Sequence, residues 1–150
     1  MENLWENIKI EKVTTPIDIL QNQADYLKEY TRGLVYASLE RNNFKETLEN
    51  TSDFFYDFYI KGKNVKDYRY KLFTIQNPIE LYPVTIFLDT KLFDEISNGI
   101  KKFIKDKKVV IDTEEEYINV LKWILSANRV QEIITGIISL KDDYDDDILF

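Results

Sequence analysis

Asp53-Phe-Phe-Tyr-Asp-Phe-Tyr-Ile60 decides the fold. Phe54, Tyr56, Phe58 and Ile60 share one parity, and residues of one parity line one face of a strand. Two later runs repeat the pattern: Tyr68, Tyr70 and Leu72, then Tyr82, Val84, Ile86 and Leu88. Three alternating segments in succession predict an antiparallel sheet with one apolar and one solvated face. Pairing Ile60 with Tyr68 sets Phe58 against Tyr70, Tyr56 against Leu72 and Phe54 against Thr74. The next hairpin then sets Tyr70 against Ile86 and Leu72 against Val84. On the opposite face Phe55, Asp57 and Tyr59 meet Phe73, Lys71 and Arg69, and Asp57 facing Lys71 is a favourable cross-strand pair. Pro83 marks the last strand as an edge or as bulged.

Working outward, residues 34–40 alternate loosely and read as a first strand. Residues 41–52 are polar and read as a long connection, with a turn of helix around Phe44 and Leu48. The remaining strands are expected at 53–60, 67–75 and 81–88. Upstream, Thr15 suits a helix N-cap, Pro16 the first helical position and Asp18 the third, where its charge meets the helix dipole. Ile17, Leu20, Ala24 and Leu27 follow at helical spacing, and Gly33 reads as the stop. Residues 1–14 fit either a helical turn, through Leu4, Trp5 and Ile8, or a strand, through Ile8 and Ile10.

Downstream, Asp89-Thr90 opens a second helix with the stripe Phe93, Ile96, Ile100, Phe103 and Ile104, and with lysines at 101, 102, 105, 107 and 108 in its last turn. Residues 109–111 are too short to assign. Thr113 and Glu116 match a capping box for a third helix. The apolar phase slips near Ser126, which predicts a break, and Asn128 with Gln131 matches a second capping box. The expected fold is α+β: a four-stranded antiparallel β-meander with an N-terminal helix and three C-terminal helices packed on one face. One domain spans 1–150, with 141–150 an acidic tail.

Composition narrows the chemistry. A chain of 150 residues buries roughly 70% of its unfolded surface, enough for a substantial core. It contains neither cysteine nor histidine. Disulfides, thiol nucleophiles, ordinary zinc sites and Ser-His-Asp or Cys-His catalysis are thereby excluded within the chain. No cofactor, metal or catalytic residue is indicated. The N-terminus lacks a basic region followed by an apolar run, and the densest apolar stretch, 130–140, is too short to span a bilayer. A cytoplasmic location is the expectation. The net charge of -7 disfavours nucleic acid and membrane surfaces as partners.

Four groups of residues compete as sites. Asp57, Tyr59, Arg69 and Lys71 share the solvated face, either as an anion site with Arg69 as a charged fork or as surface ion pairs. Phe55, Phe73 and Phe87 share its parity and would form a partner-binding patch. Tyr56, Tyr68, Tyr70 and Tyr82 would supply polar tips to a cavity under the helices, if that face is not simply filled core. The tail 142–147 carries five aspartates. Asp143, Asp145 and Asp147 imitate the start of a calcium loop that lacks its glycine and closing glutamate. Asp145, Asp146, Asp147 and Phe150 instead read as a linear docking segment.

Three functions follow. The first is a non-enzymatic interaction or regulatory module of the adaptor, antitoxin or immunity type, with a protein partner or a second copy of itself. The second is a small-ligand-binding domain with a pocket between sheet and helices. The third is an enzyme using Asp, Arg and Tyr chemistry.

Overall fold

Thr15 starts the first helix, α1 (Pro16–Tyr30), through a complete capping box: its hydroxyl accepts the Asp18 N–H at 3.1 Å and its own N–H donates to the Asp18 carboxylate at 3.0 Å. The computed structural model describes residues 1–140. After α1 come β1 (Val35–Arg41), a short α2 (Asn43–Leu48), β2 (Phe54–Gly62), β3 (Val65–Asn77), β4 (Val84–Leu88) and α3 (Thr90–Ile96). A 3-10 turn (Lys101–Phe103), β5 (Ile104–Lys105), β6 (Lys108–Ile111), α4 (Glu114–Leu125) and α5 (Asn128–Ser139) follow. The fold is α+β, and the order of the antiparallel sheet is β1-β2-β3-β4-β6-β5.

The sheet thus has six strands rather than four. The addition comes from the expected second helix, which ends at Ile96. Trp123 of α4 packs 2.6 Å from where a Cβ on Gly99 would stand, so the glycine lets α4 close against the segment that follows α3. The lysines after Ile100 do not gather at a helix end. They occupy the 3-10 turn and a hairpin whose corner residues, Asp106 and Lys107, both have positive φ, as tight hairpins with the strand's own twist require. β6 covers β4, so β4 is interior, and Pro83 lies just before it rather than on an edge.

Register departs from the expected one. Ile60 pairs with Tyr70, Tyr59 with Lys71 and Phe58 with Phe73, leaving Leu72 as the extra residue of a β-bulge. A one-residue insertion exchanges the faces for the rest of the strand. Phe73 and Ile75 therefore turn into the core, while Thr74 and Gln76 turn outward. Asp57 faces Thr74, not Lys71, and Phe54 faces Asn77. On the next pair Phe73 meets Leu88 and Ile75 meets Ile86.

The inner face carries Val35, Phe58, Ile60, Phe73, Ile75, Val84, Ile86, Val109 and Ile111, all buried under α1, α3, α4 and α5. Phe58 and Phe73 stack with centroids 4.8 Å apart at 4°. Tyr117 of α4 is fully buried and donates its hydroxyl hydrogen to the Pro16 carbonyl at 3.0 Å, which fixes α4 against the start of α1. The break near Ser126 is present. The expected Asn128 cap is not: the Glu95 carboxylate of α3 accepts the Asn128 and Arg129 N–H groups at 2.7 and 2.8 Å.

Candidate functional site

The outer face is only partly solvated, because α2 lies across one end of it. No residue of α2 is itself buried, yet beneath it Phe55 is 1% exposed. Glu46 clamps the helix down. Its carboxylate accepts the Phe55 N–H at 3.1 Å and two nitrogens of Arg41 at 2.8–3.2 Å. Hydrogen bonding from Arg41, together with that backbone N–H, holds the Glu46 carboxyl below its usual range despite partial desolvation.

Asp57 is 5% exposed and stands at the centre of this face. It accepts from Thr74 Oγ1 at 2.6 Å, Asn42 Nδ2 at 3.0 Å and Tyr59 OH at 3.3 Å. Three neutral donors thus solvate a buried carboxylate, and burial next to that charge raises the Tyr59 phenol. Arg69 lies over the Tyr59 ring at 4.2 Å and binds both oxygens of Glu40 at 3.0 Å, while Lys61 reaches Glu40 at 3.8 Å. Arg69 and Glu40 are about half exposed, so the pair contributes roughly 0–1 kcal/mol.

Three cations on this face are placed differently. The Lys45 ammonium of α2 lies 4.0 Å from the Phe87 ring centroid and 5.2 Å from that of Phe55. Lys108 of β6 lies 5.6 Å from the same Phe87 ring, and Lys71 extends from β3, on the other side of β4. Among the described residues none of the three has a carboxylate within 4.0 Å. Burial is the main cause that lowers the Lys45 pKa; the attraction of Glu49 opposes it, and smaller effects follow from Lys71 and Lys108, which lower it, and Asp57, which raises it.

The expected residues are therefore only partly together. Asp57 and Tyr59 share one network, with Lys71 paired across from Tyr59. Arg69 is spent on Glu40. Of the aromatic patch, Phe73 is core because of the bulge, Phe55 is sealed by α2, and Phe87 alone stays partly exposed, stacked on Phe55 at 6.4 Å. Asp145, Asp146, Asp147 and Phe150 lie outside the described residues. Lys45, Asn42 and Thr74 carry no site signal in the sequence, and Lys108 reads there only as one of the cations at a helix end. Their role depends on contacts between distant segments, for which no local pattern exists.

A second polar cluster joins the sheet to the helices. Asp89 caps α3 through the Leu92 N–H at 2.8 Å, accepts the Tyr70 hydroxyl hydrogen, and forms an ion pair with Arg129 at 3.5 Å. Arg129 also donates to the Tyr70 oxygen at 2.8 Å. Burial alone would raise the Asp89 carboxyl, but these donors and the Arg129 charge hold it below its ordinary value. Burial and the Asp89 contact push the Tyr70 phenol up. A tyrosine so held is a poor base or nucleophile, and the cluster acts as a latch between β3, α3 and α5.

On the helical side, two apolar clefts run along α1. One of about 620 Å³ lies between α1 and α4, lined by Ile19, Tyr26, Ile118 and Leu121 among others. One of about 440 Å³ continues it toward α5, sharing Gln23, Tyr26 and Leu125 and reaching Phe58 at its floor. Ile19, Gln23, Tyr26 and Tyr30 form a second stripe on α1, legible as i, i+4, i+7, i+11 beside the stripe that enters the core. Among the described residues no three acidic side chains converge as a metal site would require, and no helix is long and apolar enough to cross a membrane. Neither a protein-family model, nor a curated protein, nor a solved structure matches this chain.

Proposed function

We propose that the chain is a non-enzymatic protein-interaction module whose outer sheet face receives an acidic segment of a protein partner. The observation that carries this is the convergence of Lys45 and Lys108 on the single ring of Phe87 with no carboxylate in ion-pair range among the described residues. Both ammonium groups lie against one ring, and an incoming carboxylate would meet two positive charges at once. At physiological salt charges are screened beyond about 8 Å, so the local patch outweighs the chain's overall negative charge at contact. Phe87 adds apolar area between the cations, the mixture found at partner-binding patches. The donors that fill the Asp57 carboxylate and the raised phenol of Tyr70 leave neither of these two groups poised for catalysis.

A labelled oligo-glutamate peptide, followed by fluorescence anisotropy against an oligo-lysine control, tests this. The acidic peptide binds and weakens with added salt. The Lys45→Gln, Lys108→Gln pair weakens it about tenfold, since two charge contacts of this kind are worth on the order of 1 kcal/mol or more together. Equal binding by the variant, or equal binding of the control, refutes the proposal.

A further inference from the structure

The first fourteen residues form an arm outside the sheet and helices, without regular structure. Leu4, Trp5, Ile8, Ile10 and Val13 on it are between 58% and 94% exposed. A monomer rarely presents so much apolar side chain on one short segment. The chain also carries the open apolar clefts along α1, on the opposite side of the sheet from the lysine face. We propose that the arm of one copy fills the clefts of a second copy, giving a reciprocal arm-exchanged dimer.

Geometry at the arm's root favours the second copy over the arm's own clefts. Pro16 restricts Thr15 to extended backbone, and Thr15 has φ -95° and ψ 162°. Its N–H is bound by Asp18. Thr15 itself therefore supplies no turn with which the arm could double back along α1. Reach is sufficient: residues 4–13 span roughly 30 Å when extended, and α1 is about 22 Å long. Charge sets the direction. Glu6 and Lys9 flank the apolar residues of the arm, while Lys122 borders the larger cleft and Glu29 the smaller. Trp5 in the larger cleft and Ile8 with Ile10 in the smaller one place Glu6 beside Lys122 and Lys9 beside Glu29. A stable interface buries on the order of 1,600 Å². Two Trp5 rings alone supply roughly 300–500 Å² of it.

The absence of cysteine makes a clean test. The Trp5→Cys chain and the Ile118→Cys chain are each made in the full sequence, mixed and oxidised. The expected product is a mixed disulfide dimer of twice the chain mass. Wild-type protein is expected to sediment as a dimer that dissociates on dilution. The Trp5→Ser, Ile8→Ser variant should sediment as a monomer with unchanged helical circular dichroism, and should bind the apolar dye ANS several-fold more brightly because its clefts are uncovered. A wild-type monomer at all concentrations overturns the proposal. So does a Trp5→Cys, Ile118→Cys chain that closes its disulfide within a single chain, and so does equal ANS fluorescence in variant and wild type, which would mean clefts open to other apolar ligands. None of these readouts involves Lys45 or Lys108.

Discussion

Replacing Phe73 by alanine separates the bulged register from the regular one. With Leu72 as the extra residue, Phe73 is 2% exposed and stacked flat on Phe58. A buried Phe→Ala change costs about 3–5 kcal/mol, and the lost stacking accounts for roughly 0.5–1.5 kcal/mol of that. In a regular strand the same side chain would sit on the outer face beside Lys71, and its truncation would cost well under 1 kcal/mol. Equilibrium urea unfolding of wild type, Phe73→Ala and Phe87→Ala measures the difference, provided the slope with denaturant is unchanged so that midpoints report stability. For a chain of this size each kcal/mol moves the thermal midpoint by roughly 2–4 °C, so Phe73→Ala should fall by about 6–20 °C. Phe87→Ala, partly exposed, should lose about 1 kcal/mol. Equal losses for the two, or a loss below 1 kcal/mol for Phe73→Ala, would show that β3 runs without the bulge.

Four further outcomes are expected. Thr74→Val leaves the buried Asp57 carboxylate without its shortest donor, so unfolding free energy should drop by about 1–3 kcal/mol in the same titration. Lys45→Met removes a cation whose charged form is disfavoured mainly by partial burial. It should leave stability unchanged or raise it slightly near neutral pH, and, because the folded Lys45 pKa is lowered, wild type should gain on the variant as pH rises toward 10.5. Asp89 has a lowered folded pKa, so its contribution is present above 3.8 and is lost as pH falls below that value. Urea midpoints between pH 7 and 3 should therefore fall less steeply in Arg129→Gln than in wild type, and an unchanged slope would discount the ion pair. Gly62→Ala places a Cβ 2.4 Å from Ile137 Cγ2 and should cost about 1–3 kcal/mol by overpacking, readable as a lower thermal midpoint.

What the sequence disclosed follows from which interactions are local. The caps at Thr15 and Thr113 and the break near Ser126 depend on neighbours within four residues, and all three stand where the pattern put them. Strand positions were legible because alternation is local too. The register was not. Residues Leu72-Phe73-Thr74-Ile75 carry apolar side chains on both parities, so alternation cannot say where an extra residue sits; packing of Phe73 on Phe58 decides it. The hairpin at 104–111 is hidden because Ile100, Phe103 and Ile104 keep helical spacing, which carries the expected helix through 108, because 109–111 are too short to assign, and because the turn Asp106-Lys107 lacks the usual glycine. The clefts were half legible, since the second α1 stripe is visible in sequence while its facing partner on α4 is not. The lysine face was illegible. It assembles α2, β3 and β6 around Phe87, and the polarity of residues 41–52 gave no reason to lay that segment over a sheet.

The slender attachment of α2 has its own consequence. This helix buries none of its residues and is pinned by Glu46, by Asn42 and by Lys45 resting on two rings. Such a segment opens by itself, at a small fraction of the free energy that unfolds the whole. When it lifts, Phe55 meets solvent, Asp57 loses one of its three donors, and the cation on Phe87 swings free. An acidic segment bound on the outer face, as proposed, would rest in part on this cover, and its grip would depend on how often the cover stays shut.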